Sequence, residues 1–294
     1  LVETHSWKDY KTRVRATRDT FVAMLEAAAQ HGKRWREGAD AADAEDTQLA
    51  GRKLALALKT TDKTRTVEFQ GYAYTREKSE ISGGLWTRYD ATKPQVWKLS
   101  LREELVPAVE VTAPTLGYWI PAAHADWVAR KLELHGVRFE RKRPAAYATE
   151  AYRASKAEPS PRTFEGRTRL TVVGEWKSEK RELGAGGLFV PIRQPRARMA
   201  MHLLEPMAPD SLLAWGFFNA HFEQKEYMEG YVAEAVAREQ LAAKPGLRAE
   251  FDAWMKANPE DAKKPEKRLD FFYRRHPSWD ERMNLYPVLR LTSS

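Results

Sequence analysis

The 294-residue chain has no cysteine, which excludes disulfides, thiolate metal sites and a cysteine nucleophile, and leaves the redox compartment open. No run of about 18 apolar residues occurs, so no segment reads as a transmembrane helix, and nothing at the start joins a basic region to an apolar one. Phosphate-cradling loops are missing too. There is no GxGxxG and no GxxxxGK[ST]; Gly184, Gly186 and Gly187 precede a strand pattern rather than a helix and read as a hairpin turn. No serine sits in the strand-to-helix elbow of a hydrolase, which disfavours serine hydrolase chemistry. Runs of one charge are also lacking: 49 basic and 41 acidic side chains give a net +8, but they are interleaved along the chain. That pattern describes a solvated mixed surface, and no nucleic-acid partner is expected from it.

What is present divides by period. Over residues 12–30, Val14, Thr17, Phe21, Met24, Leu25 and Ala28 recur at helical spacing, and His31-Gly32 closes the stripe. Residues 33–47 are charged, alanine-rich and poor in large apolar groups, which suits either a linker or an exposed helix. The period then drops to two. Leu54, Leu56 and Leu58 alternate with small or polar residues, as do Val67, Phe69, Gly71 and Ala73, and further strands are expected over 95–101, 108–112, 117–120, 137–142, 167–176, 187–192 and 198–204. One helix, 123–134, interrupts them and ends at His135-Gly136. Helices follow over 209–222, 227–243, 246–258 and 265–276. The expected fold class is α+β.

Histidine and acid pairs are the candidate chemistry. His202 and Glu205 have the HxxE spacing of a zinc pair, but in an alternating strand three residues of separation turn them to opposite faces, so no metal site is assigned. His124 and His135 flank a helix and read as end residues that meet carbonyls or the helix dipole. Glu223, after His221 and Phe222, is explained by helix termination as readily as by a role as base. Trp86, Trp97, Trp119, Trp176 and Trp215 lie in or near strands and serve either a core or a sugar-stacking face.

Two stretches, LVETHSWKDYKTRVRATRDTFVAML at residues 1–25 and GLFVPIRQPRARMAMHLLEPMAPDSLLAWGFF at 187–218, resemble large bacterial members of the carboxypeptidase A-like zinc peptidase family. LGYWIP at 116–121 and KLELHGV at 131–137 resemble the same region, so the resemblance spans most of residues 1–220. It implies that the chain is a carboxy-terminal portion: the last strand and helix of an α/β peptidase domain over 1–32, a linker over 33–50, a mainly antiparallel β accessory region over 51–205, and a helical tail over 206–294. It further implies that Glu3, on the strand that precedes the final helix, is the catalytic carboxylate, first deprotonating a zinc-bound water and then protonating the leaving amine. Zinc belongs to the longer parent, whose ligands and carboxylate-binding arginine would precede Leu1; none is expected in this chain, and His5 reads as a loop residue. Arg13 suits either contact with a substrate carboxylate or an exposed first turn. The implied partners are a peptide substrate and the chain's own amino-terminal catalytic domain, and the implied location is secreted or periplasmic. The alternative is a non-catalytic module that holds glycan or cell-wall fragments. Clustered exposure of Trp86, Trp97 and Trp119 is expected from such a module, and burial of all three from a scaffold.

Overall fold

The structure, a computed structural model, describes residues 2–141 and 147–292, so Leu1 and Lys142 of the stretches above lie outside the described residues. Helices and antiparallel sheets are mixed in an α+β fold. Contacts divide it into two compact units: residues 53–112, and the residues on either side of that insertion.

The inserted unit is a set of paired ribbons. β1 (Lys53–Thr60) pairs antiparallel with β4 (Leu105–Thr112), and β2 (Arg65–Lys78) with β3 (Leu85–Leu101). Alternation decides which side chains share a face. Phe69 stands opposite Trp97 and Tyr74 opposite Tyr89. Their rings meet, with centroids 5.8 Å apart for Phe69–Trp97, 5.6 Å for Tyr74–Trp97 and 6.0 Å for Tyr74–Tyr89. The other face pairs Glu68 with Lys98 and Thr66 with Ser100. One side of the ribbon is therefore aromatic and the other polar.

The second unit is built on five antiparallel strands in the order β7-β6-β9-β5-β8: β5 (Gly117–Ile120), β6 (Ala148–Pro159), β7 (Leu170–Ser178), β8 (Leu188–Pro191) and β9 (Leu285–Thr292). The residues 184–187 turn sharply at Ala185-Gly186, yet this is no hairpin, because β7 and β8 occupy opposite edges of the sheet. The expected helical tail ends instead in β9, the central strand. Its sequence LYPVLRLT hid it. A strand buried on both faces shows no alternation, and Pro287 falls where the pairing with β6 is irregular. Of the expected strand over 137–142, the described part supplies one isolated bridge, Glu140 to Phe189.

Helices cover the sheet. α2 (Ala122–Leu134) buries Ala125, Val128, Ala129 and Leu132, and ends at His135-Gly136 as expected. Residues 198–204, expected as a strand, fall in helix α3 (Ala197–Leu204). The residues it buries, Ala197, Ala200, Met201 and Leu204 among them, follow helical spacing, and Ala, Met and Leu are strong helix formers. The expected helix over 209–222 is a series of turns that ends in a 3-10 helix, Asn219–Phe222; Pro209 and the left-handed Gly216 (φ 73°) interrupt it. In the tail, α4 (Gly230–Ala243), α5 (Leu247–Ala257) and α6 (Pro265–Tyr273) pack around Phe251, Phe271 and Phe272.

The first helix does not stop at His31-Gly32. α1 (Tyr10–Asp46) runs for 37 residues, so the charged stretch is the exposed-helix alternative rather than a linker. Buried Asp46 anchors its end, accepting hydrogen bonds from the Arg198 amide (3.0 Å) and Nε (3.2 Å) at the start of α3. The apolar stripe of this helix is in solvent: Phe21, Met24 and Leu25 are 62%, 57% and 69% exposed.

Candidate functional site

The segment that carries Glu3 leads directly into α1. Asp9 caps that helix, accepting from the Thr12 amide (3.0 Å) and hydroxyl (2.5 Å), bonds that hold its carboxyl below the usual range. Before the cap, His5 Nδ1 accepts the Trp7 amide at 3.4 Å, and the two rings meet edge to face. Glu3 is exposed. The Arg13 guanidinium lies 5.8 Å from the Tyr10 ring centroid, its Nε buried without a hydrogen-bond partner.

Glu205 sits elsewhere, in the core, and the structure revises the reason for setting it aside as a ligand. It is the extended residue that ends helix α3, not part of a strand, so the alternation argument does not apply to it. What removes it from metal chemistry is its neighbours. Arg290 of β9 donates to both of its oxygens (2.9 and 2.7 Å), Tyr118 Oη donates at 2.5 Å and Trp176 Nε1 at 3.1 Å. The carboxylate is completely buried, and the Arg290 guanidinium also covers the Trp176 ring at 4.4 Å. Burial, then the nearby Glu205 charge, pushes the Tyr286 hydroxyl well up and Tyr152 up to about 12; the same two causes lead for Tyr118. A carboxylate held by four donors is a fixed acceptor for three strands and cannot serve as a proton-transfer base. Burial, with Arg198 adding to it, lowers the pKa of half-buried His202, which remains apart from this cluster.

Gln194 joins the same body. It is 2% exposed, receives the Arg138 amide at 2.7 Å and donates to the carbonyls of Arg138 (3.0 Å) and Pro191 (2.7 Å). Removing it takes the side-chain partner from three part-buried backbone groups, the Arg138 amide and carbonyl and the Pro191 carbonyl. Gln194→Ala is expected to cost about 2 kcal/mol, read as a lower urea midpoint with an unchanged slope.

A third cluster lies between α2 and the 3-10 helix. His124 Nε2 and His221 Nε2 face each other at 2.9 Å, and Trp127 Nε1 donates to His124 Nδ1 at 3.3 Å. Phe217 stacks on Trp127 (5.3 Å), and Phe218 presents its edge to His124 (5.1 Å). Burial lowers both imidazole pKa values, His221 to about 4. Glu223, next to this pair in sequence, turns away to an ion pair with Lys225.

No family model, curated protein or solved structure matches this chain. The chemistry is therefore read from the residues. Among the described residues, no three His, Cys, Asp or Glu side chains come together as a metal-ligand group. The zinc implied by the peptidase resemblance does not fit the described residues: Glu205 is taken by Arg290, and the histidine pair has no third ligand beside it. Sequence reasoning weighed His124 and His221 separately and missed their pairing, and it passed over Arg290 and Gln194. Local pattern holds no signal for partners 97 and 85 residues apart.

Proposed function

We propose that this chain is the carboxy-terminal portion of a zinc-dependent metallocarboxypeptidase that works outside the cytoplasm. On this reading Glu3 is the carboxylate that takes and returns the proton in peptide-bond hydrolysis. The sheet and its helices are the accessory body. On the same reading the zinc ligands belong to a catalytic domain that precedes Glu3.

One observation carries the reading: α1, directly after the Glu3 segment, exposes Val14, Phe21, Met24 and Leu25 along one stripe. Most helices in proteins owe their stability to packing of an apolar face, and a large exposed apolar stripe marks a surface that is normally covered. On this reading the catalytic domain would supply that cover by packing its sheet on the helix, although the segment around Glu3, expected as the end of a strand, is in no strand among the described residues.

The test compares the longer gene product with the 294-residue chain. Stoichiometric zinc and carboxypeptidase activity are expected in the longer protein alone, with Glu3→Gln lowering activity at least about a hundredfold while zinc is kept. Zinc and activity in the short chain, or full activity in the Glu3→Gln protein, overturns the proposal.

A glycan-binding module is the second reading, favoured by the aromatic face around Trp97. The three tryptophans divide: Trp119 is 1% exposed and Trp86 is 54% exposed, while Trp97 is half-buried in the ribbon's aromatic cluster. Retention on insoluble cell-wall glycan that Trp97→Ala abolishes, with no activity in either protein, puts this reading first.

A further inference from the structure

The histidine pair plays no part in the peptidase reading, and its hydrogen bonds have a direction. An indole nitrogen only donates, so His124 Nδ1 accepts from Trp127 and neutral His124 carries its proton on Nε2. That N–H points at His221 Nε2, 2.9 Å away, which therefore accepts and leaves the proton of His221 on Nδ1. Both lone pairs that could take another proton are already filled by N–H groups.

We propose that Trp127, His124 and His221 form an acid-released latch that holds α2 to the 3-10 helix. A proton taken from solvent at His124 Nδ1 or at His221 Nε2 turns an acceptor into a donor and breaks one of the two bonds. The latch also reaches the sheet, because the His221 carbonyl accepts the Asn284 amide (2.9 Å) immediately before β9.

The surroundings oppose that proton. His124 is the third residue of α2, at the positive end of the helix dipole. Phe218 and Trp127 wall its ring. Of the charged groups that act on His221, Asp280 favours the charged form, while Lys225 and a charged His124 disfavour it. Lys131 of α2 and Arg167 lie over the adjoining Phe217 ring, and Asp126 of α2 is paired with Arg141. Burial is the largest cause, moving His221 from 6.5 to about 4. The unfolded chain takes its protons first as pH falls. The stability held in the latch is therefore complete above pH 6.5 and is lost between about 6.5 and about 4.

The experiment reads the wild-type chain by NMR. Nitrogen-detected ring spectra at pH 7 are expected to show His124 protonated on Nε2 and His221 on Nδ1, with both titrating below 6.5. Amide exchange in α2, corrected for intrinsic rate and referenced to α6, should speed up at least about tenfold between pH 7 and pH 4. Trp127→Phe frees His124 Nδ1, so its titration and the loss of α2 protection should both move to higher pH. A His124 protonated on Nδ1, titration of both rings near 6.5, or equal loss of protection in α2 and α6 overturns the latch.

Discussion

Replacing Arg290 with methionine is expected to lower the stability of the sheet-bearing unit by about 3–5 kcal/mol, the usual cost of stripping one partner from a buried ion pair. The reason lies in what remains. Glu205 would keep the Tyr118 and Trp176 hydrogen bonds but lose both guanidinium bonds, leaving a charge with no counter-ion in a completely buried position. Glu150, 3.7 Å from Arg290 Nη1, would also lose its counter-charge, though its partial exposure makes that loss small. For a unit of this size the expected fall in Tm is roughly 10 °C, measured by calorimetry at neutral pH. Glu205→Leu tests the other side: it removes the carboxylate that accepts from Tyr118 and Trp176 and leaves the arginine with Glu150 at 3.7 Å as its remaining ion pair among the described residues. A drop of less than about 1 kcal/mol for Arg290→Met would mean that water reaches Glu205 and that the cluster is not the anchor of the core described here.

How much of this was legible in the sequence depends on the range of the forces involved. The ribbon strands could be read because Val67, Phe69, Leu99 and Trp97 alternate with polar residues on a unit with one polar face. α2 could be read because its buried residues keep helical spacing and Gly136 ends it with a left-handed φ of 67°. α3 was misread for the opposite reason: in eight residues, MAMHLL alternates well enough to imitate a strand, and only its packing shows the helix. β9 lacks alternation because both of its faces are buried, which is a consequence of its central place in the sheet and not a local property. The site followed the same division. Glu3 stood out through the residues around it, whereas Glu205 acquires its role from Tyr118, Trp176 and Arg290, none within 28 positions along the chain. The stripe on α1 was legible as apolar, but sequence could not say that the described residues would leave it uncovered.

Gly216 offers a second large effect, and a way to separate strain from overlap. It lies in the turns between α3 and the 3-10 helix, with φ at 73°, where a residue with a side chain costs about 1–2 kcal/mol. A Cβ there would also run into the Thr168 carbonyl oxygen, which already accepts Asn219 Nδ2 at 3.0 Å. Because that oxygen is backbone, it has no rotamer by which to move away, and relief requires the strand β7 entry to shift. Strain and overlap together predict that Gly216→Ala costs at least about 3 kcal/mol. Gly136, at φ 67° with open space around it, carries the strain without the overlap. Gly136→Ala should therefore cost only about 1 kcal/mol, and the difference between the two urea midpoints measures the contact with Thr168. Equal losses for the two variants would show that the turn relaxes freely. In that case the Thr168–Gly216 approach would not be what holds the Phe217 and Phe218 rings against Trp127 and His124.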